Sequence, residues 1–460
     1  MGGRSSIAGV TRARVLFVAF HFPPIGGGGV QRNAKFARYL PDFGYEPVIV
    51  TGPGRSVDRW APEDETLLGE LPAELEVHRV TGDEPPQLDS FGIAAAAERF
   101  LMRTPQAVRF WLDGALAVGR EVGRDTELIY ASLIPYTTAA AAAELARQLG
   151  KPWVADLQDP WVFDEMWLYP SALHRARDRR LMRRLLSSAA AIVMNTPESV
   201  KRVVDAFPEL RSRPVVSIPN GFDGADFRGS VPTRTDGKFR IVHAGYLHTD
   251  VGLRLRERRT LRRLLGGWYT PVDIYTRSHV FLLEAIQSLL ERDPSLADTI
   301  EFVLAGALTP LDRDIAARYP FTRTPGYVTH DDTLDLVRTA DLLFLPMHDL
   351  PAGTRAAIVP GKTYEYLATG RPILAAVPDG DARDLLEHAG NAFVCRPSDT
   401  AAIAAAVAGC IERWRAGTAE PPPRPEALEP FERVRLTEEL AGVFDHVLGR
   451  VDAQRSVAVL

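Results

Sequence analysis

Several short stretches of the chain combine residue types and spacings that could do chemistry, and each stands where an apolar run gives way to a loop or a helix. Pro23-Pro24-Ile25-Gly26-Gly27-Gly28-Gly29 links a strand-like run to a helical pattern. Gly26, Gly27 and Gly28 let a ligand approach bare backbone, and the N–H groups at the helix start suit a phosphate or a sugar hydroxyl. The run does not complete G-x-G-x-x-G, because Gln31 stands where the last glycine is needed, so a plain dinucleotide fold loses ground. His21 lies beside this loop, where an imidazole could touch a sugar hydroxyl, although a lone histidine at a strand end is more often structural. Asp156 and Asp159, followed by Pro160 and Trp161, place two carboxylates in one loop. They could act on an acceptor hydroxyl or simply cap the next turn. In the second half, Gly361 opens a helix in which Glu365 can accept both hydroxyls of a ribose. The amides of Gly361 and Lys362 at that helix start are placed for a diphosphate. Asp331-Asp332 reads as a helix cap rather than a metal pair, and no metal site is implied.

These residues need elements to hold them. At 460 residues the chain exceeds what one core supports, so two domains of about 200 residues each are expected. Strand-like runs at Arg14–Phe20, Glu46–Val50, Leu128–Ala131, Trp153–Asp156, Ala190–Asn195 and Val215–Ile218 alternate with helical patterns at Val30–Phe43 and Thr138–Leu149. That rhythm is a doubly wound α/β domain, which binds ligands at the carboxyl edge of its sheet. It restarts after Pro219-Asn220-Gly221, with strands expected at Phe239–Ala244, Glu301–Ala305, Asp341–Pro346, Pro372–Ala376 and Ala392–Cys395. The expected organisation is 12–228, 229–425 and a closing helical segment 426–460. A stretch at about 248–278, with Arg254, Arg256, Arg258, Arg259, Arg262 and Arg263, does not fit the sheet. It reads as a solvated insertion or as a basic surface for a membrane or an anionic acceptor.

Composition narrows the function. With 46% hydrophobic and 25% charged residues and a net charge of −5, the chain is globular and offers no overall footprint for nucleic acid. Two cysteines, Cys395 and Cys410, make no disulfide framework or metal spacing and fit a reducing compartment. The opening apolar run Val15–Phe20 is too short for a signal peptide or a membrane span, so a cytoplasmic place, or one against the inner face of a membrane, is expected.

Taken in order, these segments resemble the GT-B glycosyltransferases of family 4 (glycosyltransferase group 1) and their close relatives. The likeness runs through most of the chain: the opening strand with its Pro-Pro and glycine loop, Lys151-Pro152-Trp153-Val154-Ala155-Asp156, Ile218-Pro219-Asn220-Gly221-Phe222-Asp223, His243-Ala244-Gly245-Tyr246, Leu304-Ala305-Gly306, Gly326-Tyr327-Val328, Thr339-Ala340-Asp341, and Lys362 to Pro372. The resemblance implies two Rossmann-like domains facing across a cleft, with the last helix crossing back to the first. It implies hexosyl transfer, with retention, from a nucleotide-diphosphate sugar to a glycan, lipid-linked or small-molecule acceptor, without a cofactor. The donor would lie mainly on the second domain, against Gly326, Tyr327, Gly361, Lys362 and Glu365, with Arg277 on its diphosphate. The family carries a pair of glutamates eight positions apart. Glu365 matches the second, but the first position holds Ala357. Ser132 stands where many members place a histidine. Other readings are a sugar-nucleotide epimerase of the same fold, an NAD-dependent oxidoreductase, and a protein that binds nucleotide or glycan without reacting. The oligomeric state is not legible.

Overall fold

The computed structural model describes residues 12–55, 62–82, 106–264, 266–268, 270–418 and 421–450. The first domain is built on strands β1 (Ala13–Ala19), β2 (Tyr45–Thr51), β3 (Glu76–Arg79), β4 (Leu128–Ser132), β5 (Trp153–Leu157), β6 (Ala191–Met194) and β7 (Val215–Ser217). They form one parallel sheet in the order β3-β2-β1-β4-β5-β6-β7. Each inner strand is apolar along nearly its whole length because helices cover both faces, as in Leu16-Phe17-Val18 of β1, all fully buried. The second sheet runs β10-β9-β8-β11-β12-β13, from β8 (Phe239–Ala244), β9 (Ile300–Ala305), β10 (Thr322–Gly326), β11 (Leu342–Pro346), β12 (Ile373–Ala376) and β13 (Ala392–Cys395). Both domains are therefore Rossmann-like and doubly wound.

The expected strands omit β3 and β10, which are edge strands with part-exposed side chains. The expected first helix is also shorter, Gly28–Tyr39, with Pro41 converting the remainder to a 3₁₀ turn over Leu40–Phe43. The arginine-rich stretch opens as the helix Thr249–Leu264, and the crossover to β9 is a separate helix, Val280–Arg292. Trp268, between them, pairs with Tyr169 of the first domain. No helix among the described residues is long and apolar enough to cross a membrane.

The last helix, Arg433–Val447, packs on the first domain. Leu436, Leu440, Val443 and Phe444 join Phe17, Tyr45 and Tyr130 in one cluster, with the Phe444 ring edge-on to Tyr45 at 5.2 Å. Tyr45 donates to Asp445 Oδ1 at 2.6 Å. Because Phe444 is fully buried, Phe444→Ala is expected to cost about 3–5 kcal/mol. Chemical unfolding followed by tryptophan emission measures it, and a loss below about 1 kcal/mol would show that the helix is not part of that core.

Candidate active site

The carboxyl edges of the two sheets face each other, and the loops they release meet. Gly27 takes φ 108 to turn the chain from β1 into the helix Gly28–Tyr39, a conformation that costs glycine least. A side chain on Gly26 would come within 3.0 Å of the Tyr327 hydroxyl. That tyrosine, in the loop after β10, donates to Asp64 Oδ2 at 2.9 Å and so joins the second domain to the glycine loop. Gly326 precedes it with φ 85. Gln158 ties the loops of the first domain together, donating to Ser132 Oγ at 2.9 Å and to Gly29 O at 3.2 Å. His21 lies just past β1, with its ring edge-on to Phe20 and its carbonyl accepting from Asn33 Nδ2 at 2.9 Å.

The second domain supplies a cationic wall. The helix Gly361–Ala368 begins close to Asn220 of the first domain. Lys362, in its first turn, points back at the end of β8, where its Nζ donates to His243 Nε2 at 3.3 Å. His243 Nδ1 lies 2.9 Å from Phe344 O. A carbonyl can only accept, so Nδ1 carries the proton and Nε2 presents its lone pair to the ammonium. Burial, with Lys362 beside it, keeps the His243 pKa well below the usual imidazole range. Gly245 takes φ 114, a conformation that favours glycine, and lies against Lys362, whose Nζ a side chain there would meet at 2.6 Å. Burial, reinforced by Arg277, pushes the Lys362 ammonium down to about 7 against the pull of Glu365. Arg277, after the turn Ile274–Thr276, forms no ion pair within 4 Å among the described residues; its guanidinium donates to Met166 Sδ at 3.6 Å and feels Asp159, Asp164 and Glu165 at longer range. Two neighbouring cations without a bound carboxylate, at a helix start, are the chemistry of a polyphosphate site. The Glu365 carboxylate, one turn further along, has no hydrogen-bond partner among the described residues.

Opposite this wall stand the carboxylates of the loop after β5. Asp159 has no hydrogen bond among the described residues, and burial raises its pKa against the effect of Arg277. Asp164, missed in the sequence, is 9% exposed and accepts from Met166 N at 2.7 Å through one oxygen. Burial, then Asp159 and Glu165, pushes it well above the usual carboxylate range.

The structure takes Asp156 out of this site. It is fully buried in β5, accepting from Arg32 Nε at 2.8 Å, Arg32 Nη2 at 3.0 Å and the Tyr130 hydroxyl. Arg32 also donates to Pro219 O at 2.7 Å, so the network anchors the chain before the crossover. Asp331-Asp332 is not itself the cap either: Thr329 caps the helix His330–Arg338, accepting from Asp332 N. Glu70, Asp226 and His330 present ligand atoms within 4.8 Å of one another. Lys35, salt-bridged to Glu70 and Asp226, already places a cation against that group.

Ala357 is buried rather than open to a sugar. Its amide donates to Glu165 Oε1 at 3.0 Å, and its carbonyl accepts from Thr196 and Ser199 at 2.7 and 2.9 Å. Glu165 also accepts from His348 Nε2 at 3.0 Å and Arg202 Nη1 at 2.8 Å. Burial works to raise the Glu165 carboxyl, but His348 and Arg202 outweigh it and hold it down to about 2. The loop leading to Gly361 is thus fixed to the first domain.

The order of these loops on two facing Rossmann-like sheets matches two family models. The one described as "Glycosyl transferase 4-like domain" matches residues 27–221, and "Glycosyl transferases group 1" matches 272–413. The chain belongs to the GT-B group 1 glycosyltransferases. As a group 1 glycosyltransferase it transfers sugar from a nucleotide sugar. Solved structures share the fold. HepE of Anabaena, in complex with UDP and glucose, is 18% identical with a TM-score of 0.58, over 95% of this chain and 100% of its own. Sucrose-phosphate synthase of Thermosynechococcus elongatus is 13% identical with a TM-score of 0.56, over 95% and 97%. MnaA of S. aureus, in a co-structure with UDP, is 11% identical with a TM-score of 0.53, over 96% and 99%. A putative UDP-N-acetylglucosamine 2-epimerase of Listeria monocytogenes also shares the fold, at 11% identity and a TM-score of 0.54, over 97% and 99%. No curated protein matches the chain.

Proposed function

We propose that this glycosyltransferase binds a nucleoside-diphosphate sugar on the second domain and passes the sugar, with retention, to an acceptor hydroxyl presented by the first. Lys362 and Arg277, which form no ion pair with a carboxylate among the described residues, carry the reading. They would hold the diphosphate and stabilise it as it leaves, without a metal or a general acid. Glu365 would accept the ribose hydroxyls, and Gly326 and Tyr327 would lie against the base. Asp159 faces this wall from the acceptor side, where a carboxyl with a raised pKa suits proton transfer, and the leaving diphosphate can share that role. HepE was solved with UDP-glucose, which makes UDP the first nucleotide to try. A panel of UDP, GDP, ADP, dTDP, CMP and NAD, scored by melting temperature, tests the reading. One nucleoside diphosphate should stabilise the wild type without added metal, and Glu365→Ala should lose most of that shift. A panel in which only NAD stabilises, or none does, would sink it.

A further inference from the structure

We propose that the loop after β5 forms a sugar-ring subsite, with the Trp167 indole as platform and Asp159 and Asp164 as acceptors for ring hydroxyls, so that the acceptor end of the substrate is a glycan unit. This rests on the glycosyltransferase reading and names its acceptor class. The loop is built around aromatic rings. Trp161 adopts φ 50, outside the usual range for a side-chain-bearing residue, and lies flat against Tyr136, with ring centroids 4.7 Å apart and planes 2° from parallel. The Tyr136 oxygen accepts from Trp161 N at 3.2 Å, which locks the stack. Trp167 stands edge-on to the same Tyr136 at 5.9 Å, yet is 44% exposed. A large ring held at a fixed angle with a free face can take the weakly positive C–H face of a pyranose on its π surface.

The carboxylates beside the stack are unspent. Only one oxygen of Asp164 is hydrogen-bonded, and Asp159 has no hydrogen bond among the described residues. Arg277 approaches from the other domain through Met166, the neighbour of Trp167, without an ion pair to either. Carboxyl oxygens that no protein donor engages among the described residues, and that still reach solvent, are open to a ligand that supplies donors. Sugar hydroxyls are donors of that kind, and they would arrive opposite Lys362 and Arg277.

The test is a tryptophan-emission titration of the full chain, saturated with UDP, against maltose, cellobiose, N,N′-diacetylchitobiose and methyl α-mannoside. At least one saccharide should give a saturable change in the wild type; by calorimetry, which does not depend on the indole, Trp167→Ala should bind that saccharide at least about tenfold more weakly and Trp167→Phe should recover part of the loss. Asp164→Asn should weaken the same titration, and all three variants should keep the wild-type affinity for UDP within about twofold. Trp167 is exposed, so its variants should fold. Flat titrations with every saccharide, in protein that binds UDP normally, overturn the subsite and leave the donor reading standing. Failure to bind UDP overturns the donor reading first. Leu173, 62% exposed, opens the arginine-rich helix Ala172–Leu186 nearby. A Trp167 response to phosphatidylglycerol vesicles and not to saccharides would make the ring a membrane contact and also overturn the proposal.

Discussion

Replacing Lys362 by methionine is expected to weaken nucleoside-diphosphate binding by roughly thirty- to a thousandfold, about 2–4 kcal/mol, while raising the melting temperature of the unliganded chain. The opposite signs have one cause. Lys362 keeps a desolvated ammonium beside His243, with Arg277 near and no carboxylate within ion-pair distance among the described residues. Its proton leaves near 7 rather than at the ordinary 10.5, so between those values the folded chain binds fewer protons than the unfolded one. Stability therefore rises with pH across that window, and below about 7 the full cost of the charge is felt. Methionine removes the cost together with the site. Because the diphosphate binds the protonated form, the wild-type Kd should also rise by roughly tenfold per pH unit above the free pKa, until the pKa of the complex is reached. Calorimetric titration of UDP between pH 6 and 9 reads both effects. A pH-independent Kd, or a methionine variant that binds as wild type does, would place the diphosphate elsewhere.

Glu165→Ala should cost about 3–5 kcal/mol and weaken donor binding as well. The carboxylate is 1% exposed and receives His348, Arg202 and the Ala357 amide together. Removing it leaves a buried donor on each side of the domain boundary, which is the expensive way to break such a group. It also frees the loop that sets the start of the helix Gly361–Ala368, and with it Lys362 and Glu365. A carboxyl held at about 2 in the fold against an ordinary 4.5 contributes stability that is complete above about pH 5 and is lost as pH falls toward 2. Unfolding free energies across that range should show an acid limb in the wild type that is reduced in Glu165→Gln. Glutamine can still accept the Ala357 amide, so donor binding should survive better in that variant than in Glu165→Ala. Equal acid limbs in wild type and glutamine variant would mean that the charge is not what holds the loop.

What could be read in the sequence follows from burial. Inner strands such as β1 and β9 announce themselves because both faces are covered and, after Arg14 and Glu301 near their starts, only apolar residues follow. Two edge strands, β3 and β10, do not, whereas the edges β7 and β13 are legible because their residues are mostly apolar. Glu76-Val77-His78-Arg79 and Thr322-Arg323-Thr324-Pro325-Gly326 are part-exposed, and polar residues with a proline are what an edge tolerates. The helix start at Gly361 was legible for a local reason: glycine, lysine and glutamate lie within one turn or so of each other. Asp156 misled because a carboxylate at a strand end looks the same in sequence whether it meets substrate or a buried guanidinium. Its partner, Arg32, is 124 positions away. Glu165 was invisible for the same reason, since Arg202 and His348 come from distant segments. Ala357 marked a departure from the family pattern, but only the fold reveals that its backbone is engaged by the first domain.

The central claim is that Lys362, Arg277 and Glu365 form the donor site, and the most direct test is equilibrium binding of UDP to the wild type and to Glu365→Ala by calorimetry without metal. Saturable one-to-one binding that the variant loses by at least about tenfold is the predicted result. Equal binding in both proteins, or none in either under conditions where the other nucleoside diphosphates also fail, would contradict the account.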